Sequence, residues 1–132
     1  MEQSHFWIRF FSTLSVLCVF GLVVLGGVVR VTGSGLGCPD WPLCYGSWIP
    51  PLEYTAIIEY SHRFVASVIV SPLVVLTCIL TWLRHRGERW LVIPSSISVV
   101  LLILQALLGG VTVLTELPGA IVASHLALGQ AF

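Results

Sequence analysis

The residues best able to do chemistry stand in one short stretch. Glu59-Tyr60-Ser61-His62-Arg63 brings a carboxylate, an imidazole and a guanidinium to the mouth of an apolar run that ends near Leu83. Ionisable groups at membrane depth are costly and usually mark a site. Glu59 and His62 are three apart, so on a helix they share a face. Arg63 points about 100° away from His62. A second imidazole, His125, stands in a later apolar run, and Cys38 and Cys44 lie in a polar connection. A carboxylate one turn from an imidazole can move protons or stabilise a cation. A guanidinium suits a carboxylate ligand group.

The elements that must position these groups are membrane helices. The chain has 132 residues, 57% hydrophobic and 9% charged, with a formal net charge of zero and mean hydropathy +1.00. A soluble domain carries about 25% charged residues. So little charge points to an all-α, polytopic membrane four-helix bundle, and the neutral balance argues against nucleic acid as a partner. Membrane lipid is its solvent. Apolar runs predict helices over about 10–29, 56–83, 90–114 and 119–132, making residues 1–132 one transmembrane module. The first run could instead be read as a signal peptide, but it is long and further spans follow. The fourth helix has only about 14 residues, some 21 Å, against the 30 Å or so of a bilayer core. It is expected to be a truncated span, with more protein following.

Between the first two spans lies a Gly/Pro-rich connection from Arg30 to Thr55, too broken for a regular helix. Connections of that length are usually functional. Arg84, Arg86 and Arg89 assign the second connection to the cytoplasm, and Arg9 assigns the N-terminus there. The Cys38–Cys44 loop then faces outside. An oxidising compartment favours a disulfide between them; a redox-active dithiol is the alternative. Cys18 and Cys78 fall inside spans and are expected to pack as small apolar residues.

A repeat pairs the histidines. Leu25-Gly26-Gly27-Val28-Val29-Arg30-Val31-Thr32 and Leu108-Gly109-Gly110-Val111-Thr112-Val113-Leu114-Thr115 agree at five of eight positions. Each closes one helix and is followed by an outer connection and a helix bearing a histidine. The chain therefore reads as two related hairpins. His62 and His125 each lie about seven residues into their helices, roughly 10 Å below the outer surface. Two histidines at one depth can bind opposite faces of a haem iron. The plainer reading is a pair of buried histidines, each hydrogen-bonded to a neighbouring helix. Zinc or copper fits less well, because the cysteines that could complete such a site lie in the loop. Arg63 and Arg30 are candidates for haem propionates, or for snorkelling to headgroups. Glu59 is the candidate catalytic carboxylate, or a solvated interfacial one. His5 and His85 sit in polar ends and are expected to be solvated. Gln105 is expected to hydrogen-bond to another helix.

Leu25 to Cys44, Glu59-Tyr60-Ser61-His62-Arg63, Gly109-Gly110-Val111-Thr112 and Ser124-His125-Leu126 together resemble the haem A synthase family over almost the whole chain. The resemblance implies an oxidoreductase that converts a methyl group of haem O to the formyl group of haem A, for terminal oxidases. Two hydroxylations with water-derived oxygen would give a geminal diol that loses water. It implies eight helices in two similar halves, with this chain as the N-terminal, substrate-haem half and haem b in the missing C-terminal half. His62 and His125 match the axial pair, Glu59 the carboxylate beside the reacting haem, and Cys38 and Cys44 the outer-loop cysteines. Haem O, a haem O synthase or electron donor, and further copies of the chain if the short form is natural are the partners expected in a cell membrane. The alternative, from the residues alone, is a membrane bis-histidine cytochrome b module that only passes electrons.

Overall fold

A computed structural model describes residues 2–132, with side chains from residue 5 onward. It is all helical among the described residues. α1 spans Glu2–Val31, α2 Tyr54–Phe64, α3 Ser71–His85, α4 Arg89–Leu114 and α5 Gly119–Ala131. Three helical stretches are long and apolar enough to cross a membrane: His5–Val31, Tyr54–His85 and Arg89–Leu114. α5, with 13 residues, is not.

The elements agree with the hydropathy pattern, with two differences. The first helix starts at Glu2, not near Phe10. Phe6, Trp7, Phe10 and Phe11 stack along it, and these i, i+3 and i, i+4 contacts support a helix beyond the most apolar window. The second span is also not one uniform helix. α2 and α3 are joined without a break by a π-helical segment, Val65–Val70. Pro72 explains it. Proline lacks an N–H and its ring collides with the carbonyl four residues back. Widening the preceding turn relieves the collision, and the Ser71 backbone N–H and Oγ both donate to the Ala66 carbonyl, Oγ at 2.7 Å. The proline is absorbed without ending the span.

The helices pack as two hairpins. α1 lies against α2, the π segment and α3; α4 lies against α3 and α5. Trp82 Nε1 donates to Ser96 Oγ at 3.0 Å, tying α3 to α4. α2 makes no extensive contact with α4 or α5 among the described residues. The hairpins therefore meet through α3 and α4 at one end and stand apart at the other, where α2 and α5 carry the histidines.

The repeat is structural as well as sequential. Thr32 and Thr115 end their helices with the same pair of bonds. Thr32 N and Oγ1 donate to the Val28 carbonyl at 3.0 and 2.7 Å. Thr115 N and Oγ1 donate to the Val111 carbonyl at 3.0 and 2.7 Å. The hydroxyl adds a second bond to a carbonyl that already accepts from the backbone N–H in the last turn.

The long loop forms the outer cap. Cys38 and Cys44 are joined in a disulfide, both fully buried with Ala56 and flanked by Tyr60. The loop reaches both hairpins. Trp41 lies on Gly110 of α4, and Leu117, from the turn between α4 and α5, lies on Gly35. A Cβ on Gly37 would overlap the backbone of Thr55, so only glycine lets the loop pass the start of α2.

Candidate functional site

Each histidine rests on a glycine of the preceding long helix. A Cβ built on Gly26 would lie 3.1 Å from His62 Cε1, and one built on Gly109 would lie 3.1 Å from His125 Cε1. Both glycines stand five residues before the end of their helices, at Val31 and Leu114. The two imidazoles are thus seated at matched depth by matched contacts.

Both rings carry a buried Nδ1 without a completed hydrogen bond. In metal-bound histidines one ring nitrogen ligates while the other is held by a hydrogen-bond acceptor. Gln105 Nε2 donates to the His125 carbonyl at 2.9 Å, the interhelical bond expected of it. Buried orphan nitrogens and glycine cradles at one depth fit a flat group held between the rings. Bound between the rings as a substrate, haem would supply an iron for the two imidazoles to ligate.

Glu59 and Arg63 are placed differently from the sequence reading. Glu59 is 3% exposed, and its carboxylate lies under the loop. Oε2 accepts from the Cys38 amide at 2.7 Å, and Oε1 pairs with Arg63 Nη2. Arg63 Nη1 donates to the carbonyls of Asp40 and Leu43 at 2.7 and 2.9 Å, and Nη2 to that of Cys38 at 2.8 Å. Four of its five donors are thereby committed. Arg63 as a propionate ligand is corrected on that ground: its guanidinium fastens the disulfide loop to α2. Glu59 shares its working face with Arg63, four residues on, while His62 turns to α1. Arg30 is exposed at the end of α1, and among the described residues no carboxylate lies within ion-pair distance of it.

Asp40 completes the loop. Its carboxylate accepts from the Tyr45 and Gly46 amides at 2.6 and 2.7 Å. The Gly46 N–H, foremost, holds its carboxyl below the ordinary 3.8. Asp40 is a loop residue that sequence reasoning passes over, although its spacing to Gly46 signals it. Trp41 suits a membrane interface by type, but nothing in the local sequence signals its contact with Gly110.

A surface groove of about 450 Å³ is lined by Leu14, Cys18, Val68, Ile69, Pro72, Leu73 and Leu76. It is apolar and lies beside the π segment on the α1–α3 face. Neither histidine borders it, so it reads as a lipid-facing groove and not as the site.

Residues 9–132 match the cytochrome oxidase assembly protein family, COX15-CtaA. The chain belongs to that family. Curated relatives named heme A synthase support the placement. One from Bacillus licheniformis is 39% identical over 116 residues, covering 87% of this chain and 38% of the relative. One from Bacillus pumilus is 36% identical over 129 residues, 93% of this chain and 40% of the relative. One from Bacillus cereus strain AH187 is 38% identical over 131 residues, 97% of this chain and 40% of the relative. The chain spans about two fifths of the length of these relatives. The family match covers α1 from Arg9, the disulfide loop, and both glycine–histidine cradles of this COX15-CtaA member.

Proposed function

We propose that this chain forms the substrate-haem site of a haem A synthase, with His62 and His125 as axial ligands to the iron of haem O. The observation that carries the reading is the pair of glycine-seated imidazoles with orphaned Nδ1 atoms. The relatives' name, heme A synthase, supports haem A biosynthesis, and the reaction proposed for the site is oxidation of a methyl group of haem O to the formyl group. In that reaction α2 and α5 would hold the haem through His62 and His125, and the Trp41 loop, seated on Gly110, would cover the outer side. Glu59 is the acid/base or cation-stabilising carboxylate, held in place by Arg63 and the Cys38 amide. Arg30 pairs with a propionate. Haem b, and the rest of the catalytic cycle, belong to a second unit, in the same polypeptide or in another copy. A haem O synthase and an electron carrier are the partners such a site needs.

The membrane orientation proposed puts the N-terminus and the Arg84–Arg89 turn in the cytoplasm, and the disulfide loop outside.

The test is haem extraction from cells expressing the full-length protein with His62→Ala, His125→Ala or Glu59→Ala. Loss of formyl haem in all three supports the proposal. Normal formyl haem in either histidine variant removes the axial assignment. A reversible bis-histidine spectrum with chemically unchanged haem would instead identify an electron-transfer cytochrome.

A further inference from the structure

A second cluster of ligand groups lies at the end of the bundle opposite the disulfide loop. It joins His5, in the first turns of α1, to His85, the last residue of α3, and Glu88, in the turn before α4. One ligand atom from each residue lies within 4.8 Å of the other two. The His5 and His85 ring centroids are 4.5 Å apart, with the planes tilted by 54°. His85 Nδ1 and Glu88 Oε1 are 2.5 Å apart. His85 is only 5% exposed, which corrects the expectation of a solvated histidine. α1 covers it.

We propose that His5, His85 and Glu88 form a site for a divalent metal of the zinc class, which clamps the start of α1 to the turn between α3 and α4.

Two imidazoles and one carboxylate are a donor set that zinc uses, with water in the fourth position. No thiolate is present, so soft monovalent copper is disfavoured. Zinc-bound nitrogen and oxygen ligands lie about 2 Å from the metal, so neighbouring ligand atoms are roughly 3.3 Å apart. The present separations bracket that value. His85 and Glu88 must part slightly, and the widest pair must close by no more than about 1.5 Å. Glu88 can adjust because it sits on a short turn and is 36% exposed at its side chain. Arg84, Arg86 and Arg89 in the same turn are exposed and oppose a cation only weakly through solvent.

The cluster shares no residue with the haem-site proposal and stands apart from it. A hydrogen-bonded His–Glu pair alone needs only the α3–α4 turn; the third ligand arrives from a helix more than seventy residues away in sequence. A metal would give that approach a purpose. It would fix the inner end of α1, as the disulfide loop fixes the outer end.

The test is zinc titration of the purified full chain in detergent after chelator treatment, followed by calorimetry and by cobalt as a visible probe. One zinc per chain is expected. His5→Ala and Glu88→Gln should each weaken binding by at least about tenfold, the scale on which disturbing metal-site ligation acts. Zinc should raise the melting temperature of the unaltered chain and not that of His5→Ala. A chain carrying His62→Ala and His125→Ala together should still bind zinc. Absence of stoichiometric binding, unchanged affinity in both His5→Ala and Glu88→Gln, or loss of binding in the double-histidine variant would overturn the proposal.

Discussion

A β-carbon on Gly26 would meet Cε1 of His62 at 3.1 Å. The contact is closer than side chains normally tolerate, yet it involves a ring that can swing. Gly109 and His125 repeat it at the same distance. Helical glycine is otherwise unfavourable by about 0.5–1 kcal/mol relative to alanine. Here both helices accept that cost where the Cε1 edge of an imidazole approaches the backbone.

Gly26→Ala and Gly109→Ala should therefore separate stability from ligation. Thermal unfolding of the haem-free protein should be unchanged or raised by up to about 1 kcal/mol. Haem affinity, read by titration of the Soret band, should fall about tenfold, roughly 1.4 kcal/mol of overpacking at the ring. Equal affinity in both variants and the parent would mean that the seam does not orient the ligand.

The second glycine of each repeat should behave asymmetrically. A Cβ on Gly27 would meet nothing within 4 Å, whereas one on Gly110 would lie 2.8 Å from Trp41 Cδ2. Gly27→Ala should be neutral or slightly stabilising. Gly110→Ala should lower stability by about 1–3 kcal/mol, the range for overpacking, and lift the loop from α4. Trp41→Ala should cost less than the 3–5 kcal/mol or so of a fully buried aromatic, because Trp41 is 38% exposed. Comparative denaturant unfolding of the three variants measures the order.

Arg63→Lys should release the loop without removing the charge. Lysine has three donors where arginine has five, and Arg63 serves three carbonyls and Glu59. Each lost bond to a charged group is worth about 1.5–3 kcal/mol. Faster amide exchange at Cys38, and faster proteolysis between Pro39 and Pro51, should follow. A loop as protected as in the parent would show that the disulfide suffices to hold it. Glu59→Gln should expose the same amide, because the pair with Arg63 is broken where little water can replace it.

Asp40 predicts the acid response of the loop. Its folded carboxyl is held below 3.8 by the Gly46 and Tyr45 amides. Its contribution is therefore fully present above the ordinary value and is lost as pH falls through the lower, folded one. Exchange protection at Tyr45 and Gly46 should stay flat from neutral pH down to about 4 and decline below it. Asp40→Asn should remove one of the two acceptors and show reduced protection at every pH.

Hydropathy and glycine–proline punctuation are enough to locate the spans, the loop and the repeat, because apolar run length and broken periodicity are local properties. Leu25–Thr32 and Leu108–Thr115 can be matched by reading alone, and their helix ends do share one bonding pattern. The intramembrane histidines are also legible, since an imidazole among aliphatic residues is costly wherever it points. What the chain order does not tell is direction and partner. Glu59 is about as close in sequence to His62 as to Arg63, and only the position of the loop commits its carboxylate to Arg63 and Cys38. Trp41 meets Gly110, and His5 meets His85, across separations that no local pattern spans. Those contacts are decided by how two hairpins pack, which depends on the summed fit of many weak side-chain contacts and not on any one residue's preference.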